Sequence, residues 1–232
     1  MRANGVNIHY EFSGAGIPLV LIGGLGSGLS IFAPTVKALE GRFRILRFDN
    51  RGVGESDKPD TPYTIEMMAD DTACLLRALD FFPADVLGVS MGGRIAMDLA
   101  IRYPEMVNGL VLASTSARVT GEARSSLGFR FGMLAKFVTG SGLFGKSPQP
   151  YYAFLRQLEA SGSYDCTKRL GEIKAPTLIL HGLRDRLSNL DLADELHAGI
   201  PNSELVNFKG GHLFFIWENQ AFTDAIEKFL RT

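Results

Sequence analysis

The stretch VLGVSMGGR, residues Val86–Arg94, decides the fold of this chain, because it joins a strand to a helix across a glycine-flanked serine. Residues 84–89 form a mostly apolar run typical of a short buried strand, and apolar residues from 95 to 101 recur at helical spacing. A serine at so sharp a turn needs strained backbone angles and empty space beside it, which glycines provide. In a chain with 26 glycines, Gly-x-Ser-x-Gly can also be an ordinary turn. The flanking strand and helix favour Ser90 as a nucleophile.

Two backbone N–H groups near this turn are candidates for stabilising a negatively charged oxygen. Met91 begins the helix after Ser90, where the first N–H groups have no partner within the helix. The glycine-rich stretch Gly23–Gly28 follows an apolar strand, and the N–H of Leu25 would supply a second donor. The same stretch could instead be a flexible connection into the helix at about 31–39. It does not resemble a phosphate-binding loop, because no Gly-Lys-Ser or Gly-Lys-Thr follows.

A serine hydroxyl needs a base to take its proton, and the chain contains four histidines. His9 lies on the polar face of an early strand, His181 at the inner end of a buried strand, and His197 among charged residues of a helix. Only His212 follows a strand within a glycine-flanked loop. Loops after the carboxyl ends of parallel strands gather at one edge of the sheet, where Ser90 is also expected. His212 is therefore the predicted base.

The imidazole in turn needs a carboxylate that holds its tautomer and stabilises its charged form. Four aspartates between Ser90 and His212 are excluded because one points away from the turn, one lies in a predicted lid and two belong to a helix: Asp98, Asp165, Asp191 and Asp194. Asp185 remains, just past the end of a strand. It is the predicted third member of the site.

Strands and helices alternate along the chain except at about 116–173, where no clear strand pattern is found. The alternation predicts one α/β domain with a mostly parallel sheet, whose first strand, Val6–Phe12, is an antiparallel edge. We predict that 116–173 is a helical lid inserted between strands. Its apolar side chains are expected to line part of a substrate pocket, although most of them could simply pack the lid onto the domain. The pocket candidates are Phe129, Phe131, Met133 and Phe137.

The composition argues against several classes of function. The formal net charge is −1 and the basic residues are scattered, so binding to nucleic acid is not expected. The amino terminus lacks the apolar segment of a signal peptide, and no unbroken apolar stretch is long enough to span a membrane. Cys74 and Cys166 show neither CxxC nor framework spacing, which favours reduced thiols in a cytoplasmic protein. No metal or cofactor is expected.

The order Ser90, Asp185, His212 resembles that of the α/β-hydrolase fold family, and so do short motifs along nearly the whole chain. The loop Asp49–Ser56 has the family form D-x-R-G-x-G-x-S; from the residues alone, hydrogen bonds of Asp49 and Arg51 are expected to hold it in place. The other matching motifs are Gly24–Gly26, Gly88–Gly92, His181–Asp185 and Gly211–His212.

Within that family the chain is most similar to the carboxylesterase and 3-oxoadipate enol-lactonase-like branch. Two features depart from the usual pattern. Gly23 stands where the family commonly has a histidine, which spares the backbone donors. The only tryptophan, Trp217, lies outside the predicted lid, which weakens the likeness to lactonases with an aromatic-rich lid.

The resemblance implies a serine hydrolase that cleaves carboxylic esters of small to medium acyl chain through an acyl-enzyme intermediate. Enol-lactonases and C–C bond hydrolases use the same three residues and stay open, as does a hydrolase-like small-molecule receptor with slow turnover. A lactone that carries a carboxylate would need a cation near the pocket, for which Arg118, Arg124 and Arg130 are candidates. The expected partner is a small-molecule ester or lactone.

Overall fold

The computed structural model describes residues 1–120 and 149–231. Its strands are β1 (Arg2–Ala3), β2 (Val6–Asn7), β3 (Tyr10–Ser13), β4 (Ile17–Ile22), β5 (Phe43–Phe48), β6 (Ala84–Val89), β7 (Val107–Ala113), β8 (Thr177–Gly182) and β9 (Ser203–Phe208). Its α-helices are α1 (Ala33–Leu39), α2 (Ile65–Ala78), α3 (Met91–Arg102), α4 (Tyr151–Ser163), α5 (Leu190–Gly199), α6 (Phe214–Trp217) and α7 (Asn219–Leu230). Short 3₁₀ helices cover Leu29–Phe32, Pro104–Met106 and Thr167–Glu172.

The main sheet has seven strands in the order β3-β5-β4-β6-β7-β8-β9. β3 runs antiparallel to β5, and every other neighbouring pair in this sheet is parallel. β6, which leads into the Ser90 turn, occupies the middle of the sheet. The predicted α/β-hydrolase fold with a mostly parallel sheet is confirmed.

The alternation of side chains along the strands divides the core into two layers. In β6, Val86 packs into a cluster with α2 and α3, whereas Leu87 and Val89 pack into a second cluster with α1 and α7. Both clusters are fully buried at the centre of the sheet. Strands covered on both faces are mostly apolar, which is why they could be recognised in the sequence.

The first predicted strand, Val6–Phe12, is interrupted in the structure, and this part of the prediction is wrong. Val6–Asn7 pairs with β1 in a separate two-stranded sheet, and residues 7 and 9 also bond to the loop after β5. The N–H of Asn7 donates to the carboxylate of Asp57 at 2.7 Å, and the N–H of His9 donates to Ser56 Oγ at 2.9 Å. Only Tyr10–Ser13 therefore joins the main sheet as its antiparallel edge.

The loop Asp49–Ser56 is held by its own charged side chains, as predicted. The Asp49 carboxylate accepts hydrogen bonds from the N–H of Leu29 at 2.7 Å and from the N–H of Glu55 at 2.9 Å. Arg51 forms a two-point ion pair with Asp71 of α2, with both N–O distances at 2.5 Å. Because both side chains are almost fully buried, this pair fixes the loop against α2.

The predicted lid is described in part. α4 is attached to the loop after β5, since Tyr152 donates to the carbonyl of Lys58 at 2.7 Å and Arg156 lies 3.3 Å from the Asp60 carboxylate. The following residues, including Tyr164 and Leu170, are buried in the same core cluster as α2 and α3. The pocket candidates Phe129, Phe131, Met133 and Phe137, together with Arg124 and Arg130, lie outside the described residues.

Two further features bear on the sequence expectations. Cys74 and Cys166 are both free thiols, and Cys166 is buried. Within 1–120 and 149–231, no helix combines the length and apolar character that crossing a bilayer requires.

Asp85, at the start of β6, carries a buried carboxyl group that is unrelated to the Ser90 turn. The residue is 6% exposed, and a hydrogen bond from the backbone of Gly109 only partly offsets the loss of water. Burial raises the pKa of Asp85 to about 6. The folded state therefore favours the protonated carboxyl group more strongly than the unfolded chain does.

We expect Asp85→Asn to make the stability of the protein less sensitive to pH. The raised pKa of Asp85 contributes stability that is complete below pH ~4 and is lost as the pH rises through about 6. The variant should therefore gain about 1–3 kcal/mol in free energy of unfolding, relative to wild type, between pH 4 and pH 7.5. Urea unfolding at four pH values measures this difference. Asp224→Asn, at an exposed site of α7, is the matched control, and equal gains in both variants would contradict the prediction.

Candidate active site

The turn between β6 and α3 holds Ser90 in a conformation that few residues adopt. Its φ of 55° and ψ of −118° lie outside the ordinary strand and helix regions. A side chain at Gly92 would overlap the carbonyl oxygen of Ile22, and one at Gly88 would overlap the carbonyl oxygen of Gly92. The two glycines of Gly-x-Ser-x-Gly are therefore required by backbone crowding on both sides of the serine.

Neighbouring backbone groups hold the strained turn in place. The N–H of Ser90 donates to the carbonyl of Ala113 in β7 at 2.9 Å, and Thr115 Oγ1 donates to the carbonyl of Ser90 at 2.7 Å. Strain of this kind persists only where the surrounding structure imposes it.

The three residues that the sequence singled out lie together. Ser90 Oγ is 3.0 Å from His212 Nε2, and His212 Nδ1 is 2.7 Å from Asp185 Oδ2. With a proton on Nδ1 donated to Asp185, the lone pair of Nε2 faces the Ser90 hydroxyl. This arrangement allows the imidazole to accept the serine proton.

Asp185 is held by the loop that follows β8. Its second oxygen, Oδ1, accepts hydrogen bonds from the N–H of Leu187 at 2.8 Å and from the N–H of Ser188 at 3.1 Å. The carboxylate is fully buried, whereas the His212 side chain is 18% exposed. The carboxylate thus has a single orientation, and the imidazole that it orients still faces the cavity.

The glycine-rich loop after β4 approaches the serine closely. A Cβ placed on Gly24 would stand 3.2 Å from Ser90 Cβ, and Leu25 follows directly in the cavity wall. Met91, next to Ser90, is the first residue of α3, so its N–H has no acceptor within the helix. The role of the Leu25 and Met91 N–H groups as oxyanion donors stays a prediction.

Gln157 of α4 is a buried polar residue that the sequence reasoning missed. Its Oε1 accepts from the N–H of Gly26 at 3.0 Å, and its Nε2 donates to the carbonyl of Arg51 at 2.8 Å. Gln149 Nε2 adds a third bond at 3.1 Å. The signal was its helical spacing, because Gln157 shares one face with apolar Ala153, Phe154 and Ala160.

A cavity of about 870 Å³ opens beside Ser90 and His212. Much of its described wall is apolar, contributed by α4 and by the loops after the strands: Leu25, Ile31, Val89, Val119, Leu155, Leu158, Leu187, Leu213 and Phe215. Arg94 of α3 is also part of the wall, although the sequence reasoning gave it no role. A space of this size, apolar with a few polar groups, is typical of a site for a small organic molecule.

Arg118, the one described member of the three arginines considered for the pocket, is engaged elsewhere. Its guanidinium bonds to the Glu195 carboxylate of α5 at 3.2 and 3.1 Å. It is not among the described residues of the cavity wall. Arg118 therefore forms an ion pair with Glu195 of α5 instead of supplying a cation to the pocket as expected.

Comparison with known proteins places this geometry in a family. Residues 17–146 match the family model described as the alpha/beta hydrolase fold. A poly(3-hydroxyalkanoate) depolymerase from Ectopseudomonas oleovorans is 31% identical over 238 residues, covering 92% of this chain and 84% of the relative.

Two solved structures extend the similarity to the whole chain. The enol-lactonase from Burkholderia xenovorans LB400 has a TM-score of 0.86 at 28% identity, covering 99% of this chain and 98% of the other. A thermophilic esterase from Thermogutta terrifontis has a TM-score of 0.84 at 27% identity, covering 97% and 93%. The strand order, the family model and these relatives agree, and the chain belongs to the alpha/beta hydrolase fold family.

Proposed function

We propose that the protein is a serine hydrolase that cleaves carboxylic esters of small to medium acyl chain through an acyl-enzyme intermediate. The observation that carries this proposal is the continuous hydrogen-bonded chain from Ser90 through His212 to Asp185, at the wall of a largely apolar cavity. In this reading Ser90 is the nucleophile, His212 the general base and acid, and Asp185 the residue that orients His212.

The reaction would proceed in two balanced halves. Ser90 Oγ attacks the ester carbonyl carbon while His212 Nε2 takes the hydroxyl proton. The carbon–oxygen bond to the alcohol then breaks, and the alcohol leaves with the proton from His212. A water molecule next gives its proton to His212 and attacks the acyl carbon, which releases the carboxylic acid and returns the proton to Ser90.

The negative charge that develops on the carbonyl oxygen needs donors already in place. We propose the N–H groups of Leu25 and Met91 for this role, because Leu25 follows Gly24, whose backbone approaches Ser90 closely, and Met91 begins the helix after Ser90. The bond from Gly26 to Gln157 makes Gln157 a positioning residue, since it holds the glycine-rich loop that carries Leu25.

Lactone hydrolysis is the second candidate, because the similarity to the Burkholderia xenovorans enol-lactonase spans nearly the full chain. A lactone is a cyclic ester, and the same steps apply except that the released alcohol stays attached to the acyl group. Esters and lactones are therefore compared in the same assay. Multiple turnover of either also separates an enzyme from a slow, hydrolase-like receptor.

Ser90→Ala should abolish turnover of p-nitrophenyl esters, lowering kcat on the order of 10⁶-fold because the nucleophile is lost. Steady-state kinetics with acyl chains of increasing length, beside an enol-lactone, measure the effect and show which acyl size the cavity prefers. Ser203→Ala changes a serine at the start of β9 and serves as the control, with turnover expected at the wild-type rate. Retention of most activity in Ser90→Ala would show that another group carries the chemistry.

Gln157→Leu should lower kcat by roughly 10- to 100-fold with little change in KM, because the Leu25 donor acts mainly in the transition state. The substitution removes the acceptor for the Gly26 N–H while keeping a side chain of similar size. Gln220→Leu on α7 is the matched control, since the Gln220 side chain donates to exposed Asp224, far from the glycine-rich loop in sequence. A rise in KM at constant kcat would instead mean that Gln157 supports substrate binding.

A further inference from the structure

Arg94 is a buried cation in the wall of the cavity, one helical turn beyond Ser90. The residue is 6% exposed. Its Nη1 donates to Ser161 Oγ at 2.8 Å and its Nη2 to Ser116 Oγ at 2.7 Å, and among the described residues Nε has no partner. A guanidinium offers five N–H groups, so the two hydroxyl oxygens leave the other N–H groups without a described acceptor.

Arg51, the other buried arginine near the site, differs from Arg94 because a carboxylate balances its charge. Arg51 is buried to a similar degree and receives both carboxylate oxygens of Asp71. Arg94 has only neutral hydroxyl partners within the part of the chain that the structure describes. An unpaired charge in a buried position is costly, and a ligand carboxylate at the cavity wall would supply the missing partner.

The remaining neighbours of Arg94 do not compensate its charge. Tyr164 and Cys166 are the nearby ionisable groups, but burial raises the pKa of Tyr164 and raises the pKa of Cys166 to about 11. Both are therefore neutral at pH 7. Burial lowers the pKa of Arg94 itself to about 10, so its guanidinium stays charged there.

The described carboxylates of the cavity wall lie elsewhere, on its outer part. Asp60 and Glu159 lie 3.3 and 3.8 Å from Arg156, and both acidic side chains are largely exposed. In the sequence, residues 121–148 contain one acidic residue, Glu122, against two arginines and two lysines. Glu122 is therefore the one internal alternative that an experiment has to exclude.

We propose that Arg94 binds a carboxylate of the substrate, so that the preferred ester or lactone carries a second, ionised carboxyl group on its acyl or alcohol part. This inference rests on the proposed function and narrows its substrate class. A planar guanidinium pairs with a carboxylate through two parallel hydrogen bonds, and each Nη of Arg94 keeps a second N–H beyond the one that it donates to a serine hydroxyl. Arg94 thus acts as a specificity-determining residue beside the nucleophile.

The test compares esters that differ only by a distant carboxylate. On the acyl side these are p-nitrophenyl hydrogen glutarate and p-nitrophenyl pentanoate; on the alcohol side they are 4-acetoxyphenylacetate and 4-methylphenyl acetate. Wild type should prefer the anionic member of at least one pair by roughly 10- to 100-fold in kcat/KM. The ratio within a pair is the readout, because a general loss of activity affects both members equally.

Two substitutions of Arg94 separate charge from shape. Arg94→Met keeps a long side chain without charge and should reduce the ratio to about one. Arg94→Lys keeps the charge without the planar fork and should retain part of the preference. Glu122→Gln is the control and should leave the ratio as in wild type. A ratio near one in wild type that rises with Glu122→Gln would overturn the proposal, because Glu122 would then be the partner of Arg94.

Measurements on the wild-type protein test the proposed carboxylate preference even if Arg94→Met does not fold. Glutarate should inhibit ester hydrolysis at least 10-fold more strongly than pentanoate, and equal inhibition together with equal kcat/KM in both pairs would overturn the inference. Ser90-dependent hydrolysis of neutral esters under that outcome would leave the proposed function intact. If no Ser90-dependent turnover is found, the proposed function is wrong. A rise in Tm with glutarate that Arg94→Met abolishes would still support a carboxylate-binding site at Arg94.

Discussion

The structure depends on the close approach of three backbones around Ser90. Gly92 of α3 lies against the carbonyl oxygen of Ile22, and Gly88 lies against Gly92, so β4, β6 and α3 meet without intervening side chains. The strained backbone of Ser90 costs on the order of 1–3 kcal/mol, which the packing of a fully buried central strand offsets. The same crowding projects the serine hydroxyl toward the cavity and places the glycine-rich loop beside it.

Much of this arrangement could be predicted from the sequence, because the buried strands are mostly apolar. β6 begins and ends at the predicted residues, 84 and 89, and the loops after β6, β8 and β9 carry the three predicted side chains. The first strand was predicted too long, since Val6–Asn7 pairs with β1 and the side chains of Ser56 and Asp57 accept hydrogen bonds from the N–H groups of His9 and Asn7. Such bonds join residues about 50 positions apart, and the alternation of apolar and polar residues along a strand cannot predict them.

Gln157 and Arg94 escaped prediction for a related reason. Gln157 lies on the buried face of α4, and Arg94 lies in α3, which is buried from Met91 to Ile101. A polar residue among apolar ones is easily treated as an interruption of the pattern. Their partners, Gly26, Arg51, Ser116 and Ser161, are distant in sequence. α4 takes part in both networks, through Gln157 and Ser161. One helix of the predicted lid thus connects the glycine-rich loop to the buried cation.

The three residues of the hydrogen-bonded chain come from loops after three different strands, and Ser90 and His212 are separated by 122 positions. Contacts of such long range form late, because the chain must first close large loops. During synthesis from the amino terminus, Ser90 and its turn emerge well before β8 and β9, which carry its partners. Ser90 therefore lacks its proposed base, His212, until β9 has been made and has joined the sheet, so the proposed hydrolysis would report that the sheet has been completed.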